Sequence, residues 1–248
     1  MKEYKGIIIA LIAGICAIIC CSVFSGNLVD YKRTSGSGGL TATGSANCDF
    51  ESDLIVWRGS FSREGTTTQE AYRSIKKDAE LVKNYLLENG VTEEEMVFSS
   101  VSISPNWESE YNENGDRLRD YIVGYDLYQN VSITSSDVDK IENISRDISG
   151  LIESNVQFAS DDPEYYYTKL DELKLQLIEE ATQNAKDRID LLAAGTGATI
   201  GELLNANLGV FQITAQNSNT EYSYGGYFDT SSRKKTASIT VKLNYSVD

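Results

Sequence analysis

The chain has 248 residues, 37 of them Asp or Glu and 22 Lys or Arg, which gives a net charge of −15 at neutral pH. That balance argues against a nucleic-acid partner, because phosphate binding needs clustered cations. Histidine is absent, which removes the commonest general base near neutral pH and the commonest transition-metal ligand.

The first element is an apolar run, Gly6 to Phe24, that contains no charged residue. At about 1.5 Å per residue a helix of that length nearly spans a hydrocarbon core. Lys2 and Lys5 precede it and, with Glu3, leave residues 1–25 at +1, so everything that follows carries −16. Positive charge stays inside, so the expectation is an uncleaved signal anchor over residues 1–25, a cytoplasmic N-terminus and an extracytoplasmic bulk. The alternative is a signal peptide cleaved near Val23-Phe24-Ser25, which would leave a secreted or periplasmic protein. Residues 26–39 are Gly/Ser-rich and read as a flexible tether. A folded domain is expected over 40–248.

Cys16, Cys20 and Cys21 lie in the apolar run, so Cys48 is the only thiol beyond it. A single thiol can form neither an intradomain disulfide nor a structural zinc site, and Cys48 reads as a small half-buried strand residue. Residues 53–62 alternate, with Ile55, Trp57, Gly59 and Phe61 on one face. A helix follows, with Ala71, Ile75, Ala79, Val82 and Leu86 at helical spacing and Gly90 as its terminator. Val97, Ser99, Val101 and Ile103 give a second strand, which Pro105 is expected to stop. Across an acidic loop at 105–120, with an Asn114-Gly115 turn, a long strand carries Tyr121, Val123, Tyr125, Leu127, Gln129, Val131 and Ile133 on one face.

A second helix is predicted at about 137–150 from Val138, Ile141, Ile144, Ile148 and Leu151, then a strand at 154–160. β-α-β has then occurred twice, which predicts an α+β fold: mainly antiparallel sheet, helices packed on one face, a loosely ferredoxin-like arrangement. Asp162-Pro163 is expected to open a long helix near 163–194, whose stripe runs through Tyr166, Leu170, Leu173, Leu177, Ala181, Ala185, Ile189 and Leu192. Strands are expected near 202–214 and at 236–247, the last with Ala237, Ile239, Val241, Leu243, Tyr245 and Val247 alternating with polar residues.

Several motifs, in this order, resemble the SIMPL-domain family of bacterial envelope proteins, which includes oxidative-stress defence proteins and periplasmic immunogenic antigens. They are Leu40-Thr41-Ala42-Thr43-Gly44-Ser45-Ala46, Val101-Ser102-Ile103-Ser104-Pro105, Gly124-Tyr125, Asp162-Pro163, Ala185-Lys186-Asp187-Arg188-Ile189 and Gly197-Ala198-Thr199-Ile200-Gly201-Glu202-Leu203. The family's usual proline before the second strand is absent at Cys48-Asp49-Phe50-Glu51-Ser52-Asp53. The resemblance implies a fold and an envelope location, with no catalytic residues to carry over.

No catalytic, cofactor or metal set stands out. Gly195-Thr196-Gly197 lies at a helix C-terminus and reads as a cap, since phosphates prefer the N-terminus. Glu93-Glu94-Glu95 lacks calcium-loop spacing and reads as a solvated turn. Ser74-Ile75-Lys76-Lys77 has the S-x-x-K spacing but lies on the polar face of a helix. The distinctive residues are aromatic: Trp107 and Tyr111 in the acidic loop, and Tyr222, Tyr224, Tyr227 and Phe228 in a long loop at 215–235 beside Arg233, Lys234 and Lys235. Aromatics on loops suit recognition of protein or glycan surfaces. The leading expectation is a non-enzymatic envelope protein that forms homo-oligomers or scaffolds, with a stress-tolerance role implied by the resemblance. Alternatives are a surface module for glycan or peptide and a carboxylate-based hydrolase.

Overall fold

The computed structural model describes residues 39–218 and 223–247, together with Cys21. The apolar run, nearly all of the tether and Tyr222 therefore lie outside the described residues. Among the described residues no helix is long and apolar enough to cross a membrane. The described residues form two compact units, one within Asn47–Leu175 and Phe211–Ser238, the other from 39–46, Gln176–Val210 and 239–247.

In the first unit, β2 (Leu54–Gly65), α1 (Thr68–Glu88), β3 (Met96–Phe98), β5 (Arg117–Ser135), α2 (Val138–Asp147) and β6 (Phe158–Ser160) realise the two β-α-β units. The strand order is β3-β5-β2-β6, every pairing antiparallel. Each β-α-β therefore skips one position that the other unit fills, which is the interleaved, ferredoxin-like order. Ile55, Trp57 and Phe61 of β2 pair with Ser135, Ile133 and Gln129 of β5, and their side chains pack with Ala71, Ile75, Val82 and Leu86 of α1 and Val138, Ile141 and Ile144 of α2 in one buried cluster. Full burial of such side chains stabilises by about 1.5–3 kcal/mol each.

Local chemistry sets the helix ends. Thr67 caps α1 by accepting from the Glu70 amide, and Asp137 caps α2 by accepting from Lys140. Gly90 follows α1 at φ +82°, a conformation that needs glycine. After α2 the chain tightens into a 3-10 turn, Ile148–Ser154, that ends at left-handed Asn155.

The strand expected through Val97, Ser99, Val101 and Ile103 is broken at 99–101, where the backbone leaves strand geometry between Phe98 and Ser102, and three further expectations change. Pro105 does not stop a strand: it lies inside β4 (Ser102–Tyr111), opposite Tyr125, and is tolerated because β4 is an edge strand. The expected acidic loop is thus an antiparallel ribbon of β4 and the outer half of β5. The long helix, α3, spans Leu170–Thr196 and starts seven residues later than Pro163. Glu164–Tyr166 instead form β7 against Leu54–Val56. A tyrosine run favours strand, and Asp53 accepts from both the amide and hydroxyl of Thr168 at 2.7 Å, holding the chain extended until Leu170. The strand expected near 202–214 divides into β8 (Ile200–Leu208) and β9 (Gln212–Ala215).

The last strand, β11 (Lys234–Val247), pairs with β9 through Lys235–Ser238 and with β8 through Val241–Val247. β10 (Tyr227–Phe228) runs parallel to β9. In the second unit, β1 (Leu40–Glu51) brings Gly44 against Ala181 and Ala185 of α3, while Leu177, Ala181, Ala185, Ile189, Ile239, Val241 and Leu243 are buried.

Candidate functional site

β5 pairs with β2 only as far as Tyr125, opposite Gly65; beyond it, Arg117–Gly124 has β4 alone for a partner among the described residues. The ribbon turns at Asn112, whose side-chain oxygen accepts from the amides of Asn114 (2.9 Å) and Asp116 (2.8 Å). Gly115 completes the turn at φ +85°.

The two faces of the ribbon differ. Ile103, Pro105, Trp107 and Tyr111 alternate onto one side of β4, opposite Leu127, Tyr125, Ile122 and Arg117. Leu127 is fully buried in the core, whereas Ile103, Trp107, Tyr111 and Ile122 are 53%, 61%, 60% and 43% exposed. The apolar face of the sheet therefore runs on past the part that α1 and α2 cover. The other side carries polar pairs, with Glu110 pairing with Arg119 at 2.6 Å and Tyr121 donating to Glu108 at 3.2 Å, while on the Trp107 and Tyr111 side the charged pair is Arg117 with Asp120, opposite Ser109. This amphipathic strand pair joins Trp107 and Tyr111 of the sequence reading to Ile103 and Ile122. Alternation from Ile103 to Tyr111 was the available signal for it; the proline obscured it.

The second aromatic group sits elsewhere. Tyr224 is fully exposed in a turn, while Tyr227 and Phe228 form β10 opposite Gln212 and Ile213. No ring contact joins this group to Trp107 or Tyr111 among the described residues. The cations beside it do not face solvent together. Lys235 is 1% exposed; its Nζ donates to the Tyr165 carbonyl at 2.5 Å and lies 5.8 Å from the Phe228 ring. Burial pulls its pKa down, against the charge of Asp229. Burial pushes the Asp229 carboxyl up, but hydrogen bonds from Ser232 and Ser231 and the charge of Lys235 outweigh it, so the net shift is downward.

Two clefts concentrate polar groups. One of 610 Å³ is lined by Glu51, Asp53, Asp137, Asp139 and Arg233 among others. Each carboxylate there already has a structural partner. Glu51 and Asp139 hold Arg233, Asp53 holds Thr168, and Asp137 caps α2. Hydrogen bonding from Arg233 keeps Asp139 below the ordinary carboxylate range, the wrong direction for a general acid. The other cleft, 320 Å³, includes Glu142, Arg146, Asp161, Asp162 and Tyr165. Tyr165 donates to Glu142 at 2.7 Å, and burial with that hydrogen bond pushes its pKa up to about 12, so it serves as a donor and not as a base. Glu95, expected to be solvated, clamps its own turn by accepting from the Thr92 amide (2.8 Å) and from Ser135 (2.5 Å). No group of three or more His, Cys, Asp or Glu among the described residues could hold a metal ion.

The family model for SIMPL, described as a protein of unknown function (DUF541), matches residues 40–247. The chain belongs to the SIMPL family. No curated protein matches it at a significant level. The motifs by which this SIMPL chain resembles its relatives fall on structural positions. Gly44 admits α3, Gly124 stands where β5 leaves β2 and a Cβ there would lie 3.0 Å from the Gly65 carbonyl, and Gly197 ends α3 at φ +70°.

Proposed function

We propose that this SIMPL protein is a non-enzymatic, extracytoplasmic component of the cell envelope, anchored through residues 6–24, that assembles with copies of itself as a scaffold. The observation that supports it is the β4–β5 ribbon. It offers an apolar face with Trp107, Tyr111 and Ile122 exposed, on β4 and the Arg117–Gly124 half of β5, each without a neighbour on its outer side among the described residues. Exposed edges with apolar side chains are sites of association. The charge pattern around the apolar run supports the orientation, and the stress-tolerance role rests on the family resemblance.

Size-exclusion chromatography with light scattering on the full chain in mild detergent tests the assembly. A mass of several chains per particle is expected; a strict monomer at high concentration would sink the proposal. Phosphatase and fluorescent-protein fusions at the C-terminus test the orientation, with an active phosphatase expected and a bright fluorescent fusion counting against it. A second reading, a surface module for glycan or peptide, is favoured by one observation: Tyr224 is fully exposed beside the partly exposed Tyr227 and Phe228.

A further inference from the structure

The two edges of the ribbon are not equivalent. Ser102–Tyr111 carries Glu108 and Glu110 and no cation, whereas Arg117–Val123 carries Arg117 and Arg119 against the single Asp120. The complementarity already operates within the ribbon, where Arg119 meets Glu110 at 2.6 Å.

The protein also treats its edges unequally. In β1 the Ser45 amide donates to the Asn184 side chain at 3.2 Å, and the Thr43 carbonyl accepts from Arg188 at 2.7 Å. Side chains thus occupy backbone groups that another strand could use, a common way of blunting an edge. Among the described residues no hydrogen bond does the same for the outer side of β4 or for the outer side of Arg117–Val123. The apolar face between these open edges is the one that carries Trp107 and Ile122.

We propose, resting on the assembly reading above, that the acidic β4 edge of one copy adds to the Arg117–Val123 edge of the next, so that copies join head to tail. Joining β4 to β4 would bring Glu108 and Glu110 of two copies together, and like charges opposed across strands destabilise a sheet. Joining β4 to the arginine-bearing edge sets two carboxylates against a net positive strand. It also extends one apolar face across the joint, with Trp107 of one copy near Ile122 of its neighbour. A contact between unlike edges does not close on two copies; it repeats to form a ring or a filament.

The test uses the full chain in mild detergent, with a photo-reactive phenylalanine analogue replacing Trp107 and with light and heavy isotope-labelled copies mixed before irradiation. Multi-chain species should yield mixed-isotope links from position 107 to residues 117–123 of another copy. Mixed-isotope links from 107 to β4 of another copy, or to any other region, would overturn the head-to-tail geometry while leaving the assembly reading standing. A monomeric mass by light scattering would end both. Glu108 is exposed on the ribbon, so Glu108→Lys should leave the circular dichroism spectrum unchanged and weaken association by roughly tenfold. Unchanged association in a folded Glu108→Lys protein would also count against the proposal.

Discussion

Gly44 of β1 packs so closely on Ala185 of α3 that a Cβ at Gly44 would stand 2.8 Å from the Ala185 Cα and collide with the Ala181 carbonyl and Ala185 amide. Both neighbours are helix backbone, which cannot rotate away. Gly44→Ala should therefore destabilise the protein by about 1–3 kcal/mol. Gly150→Ala, where a Cβ meets nothing within 4 Å, should be neutral or stabilising by up to about 1 kcal/mol. Urea denaturation of both variants checks the contrast, and equal stabilities would refute it.

Asp78, with its side chain 4% exposed, takes two hydrogen bonds from Arg63, which also donates to the Asn155 carbonyl. Removing one member of such a pair strands the other. Asp78→Ala should cost about 3–5 kcal/mol, whereas a double replacement, Asp78→Leu with Arg63→Met, should recover much of that loss. Thermal and urea unfolding of the single and double variants supply the measurement; a double variant less stable than Asp78→Ala would contradict it.

Tyr165 sets an alkaline limit. Its folded pKa is raised to about 12 from an ordinary 10, so the folded state holds the phenolic proton more tightly than the unfolded one. The resulting stability is fully present below pH 10 and is lost as pH rises from about 10 to 12. Allowing for solvent screening, its size is about 1–2 kcal/mol. Tyr165→Phe should flatten this part of the stability-pH curve, and tyrosinate absorbance should show one fewer late-titrating residue. An unaltered curve in the variant would argue that the hydroxyl is free.

The two aromatic groups separate the two functional readings. Trp107→Ser and Tyr111→Ser alter exposed side chains and should change stability by no more than about 0.5 kcal/mol while lowering the assembled fraction in light scattering. Tyr224→Ser with Tyr227→Ser should leave assembly intact. If the second pair lowers binding on a glycan or peptide array and the first pair leaves assembly unaffected, the module reading replaces the scaffold.

Much of the first unit was legible because periodicity reports burial directly. Ile55, Trp57, Gly59 and Phe61 repeat at two and are buried; Ala71, Ile75, Ala79, Val82 and Leu86 repeat at three or four, and all but the partly buried Ala79 are buried. Two consecutive β-α-β units made a loosely ferredoxin-like arrangement legible; the interleaved strand order itself is set by the long-range pairing of β5 with β2. The start of α3 was misplaced because Asp162-Pro163 is a genuine local start signal overruled by partners distant in sequence: Asp53, more than a hundred residues upstream of Thr168, and the strand pairing with Leu54–Val56. Pro105 misled for a similar reason, since its effect depends on whether the amide side of the strand has a neighbour, and spacing alone does not tell an edge from a centre.

The sequence by itself determined the class of fold and singled out the aromatic residues, because both depend on residue type and local period. Only the tertiary structure decided that Trp107 and Tyr111 extend the apolar face of a sheet, that Lys235 is buried under Phe228, that the carboxylates of the larger cleft have structural partners, and that side chains blunt the β1 edge while the ribbon edges stay open. These properties depend on which neighbours arrive from elsewhere in the chain: a strand edge, like a buried charge, is defined by what lies beside it.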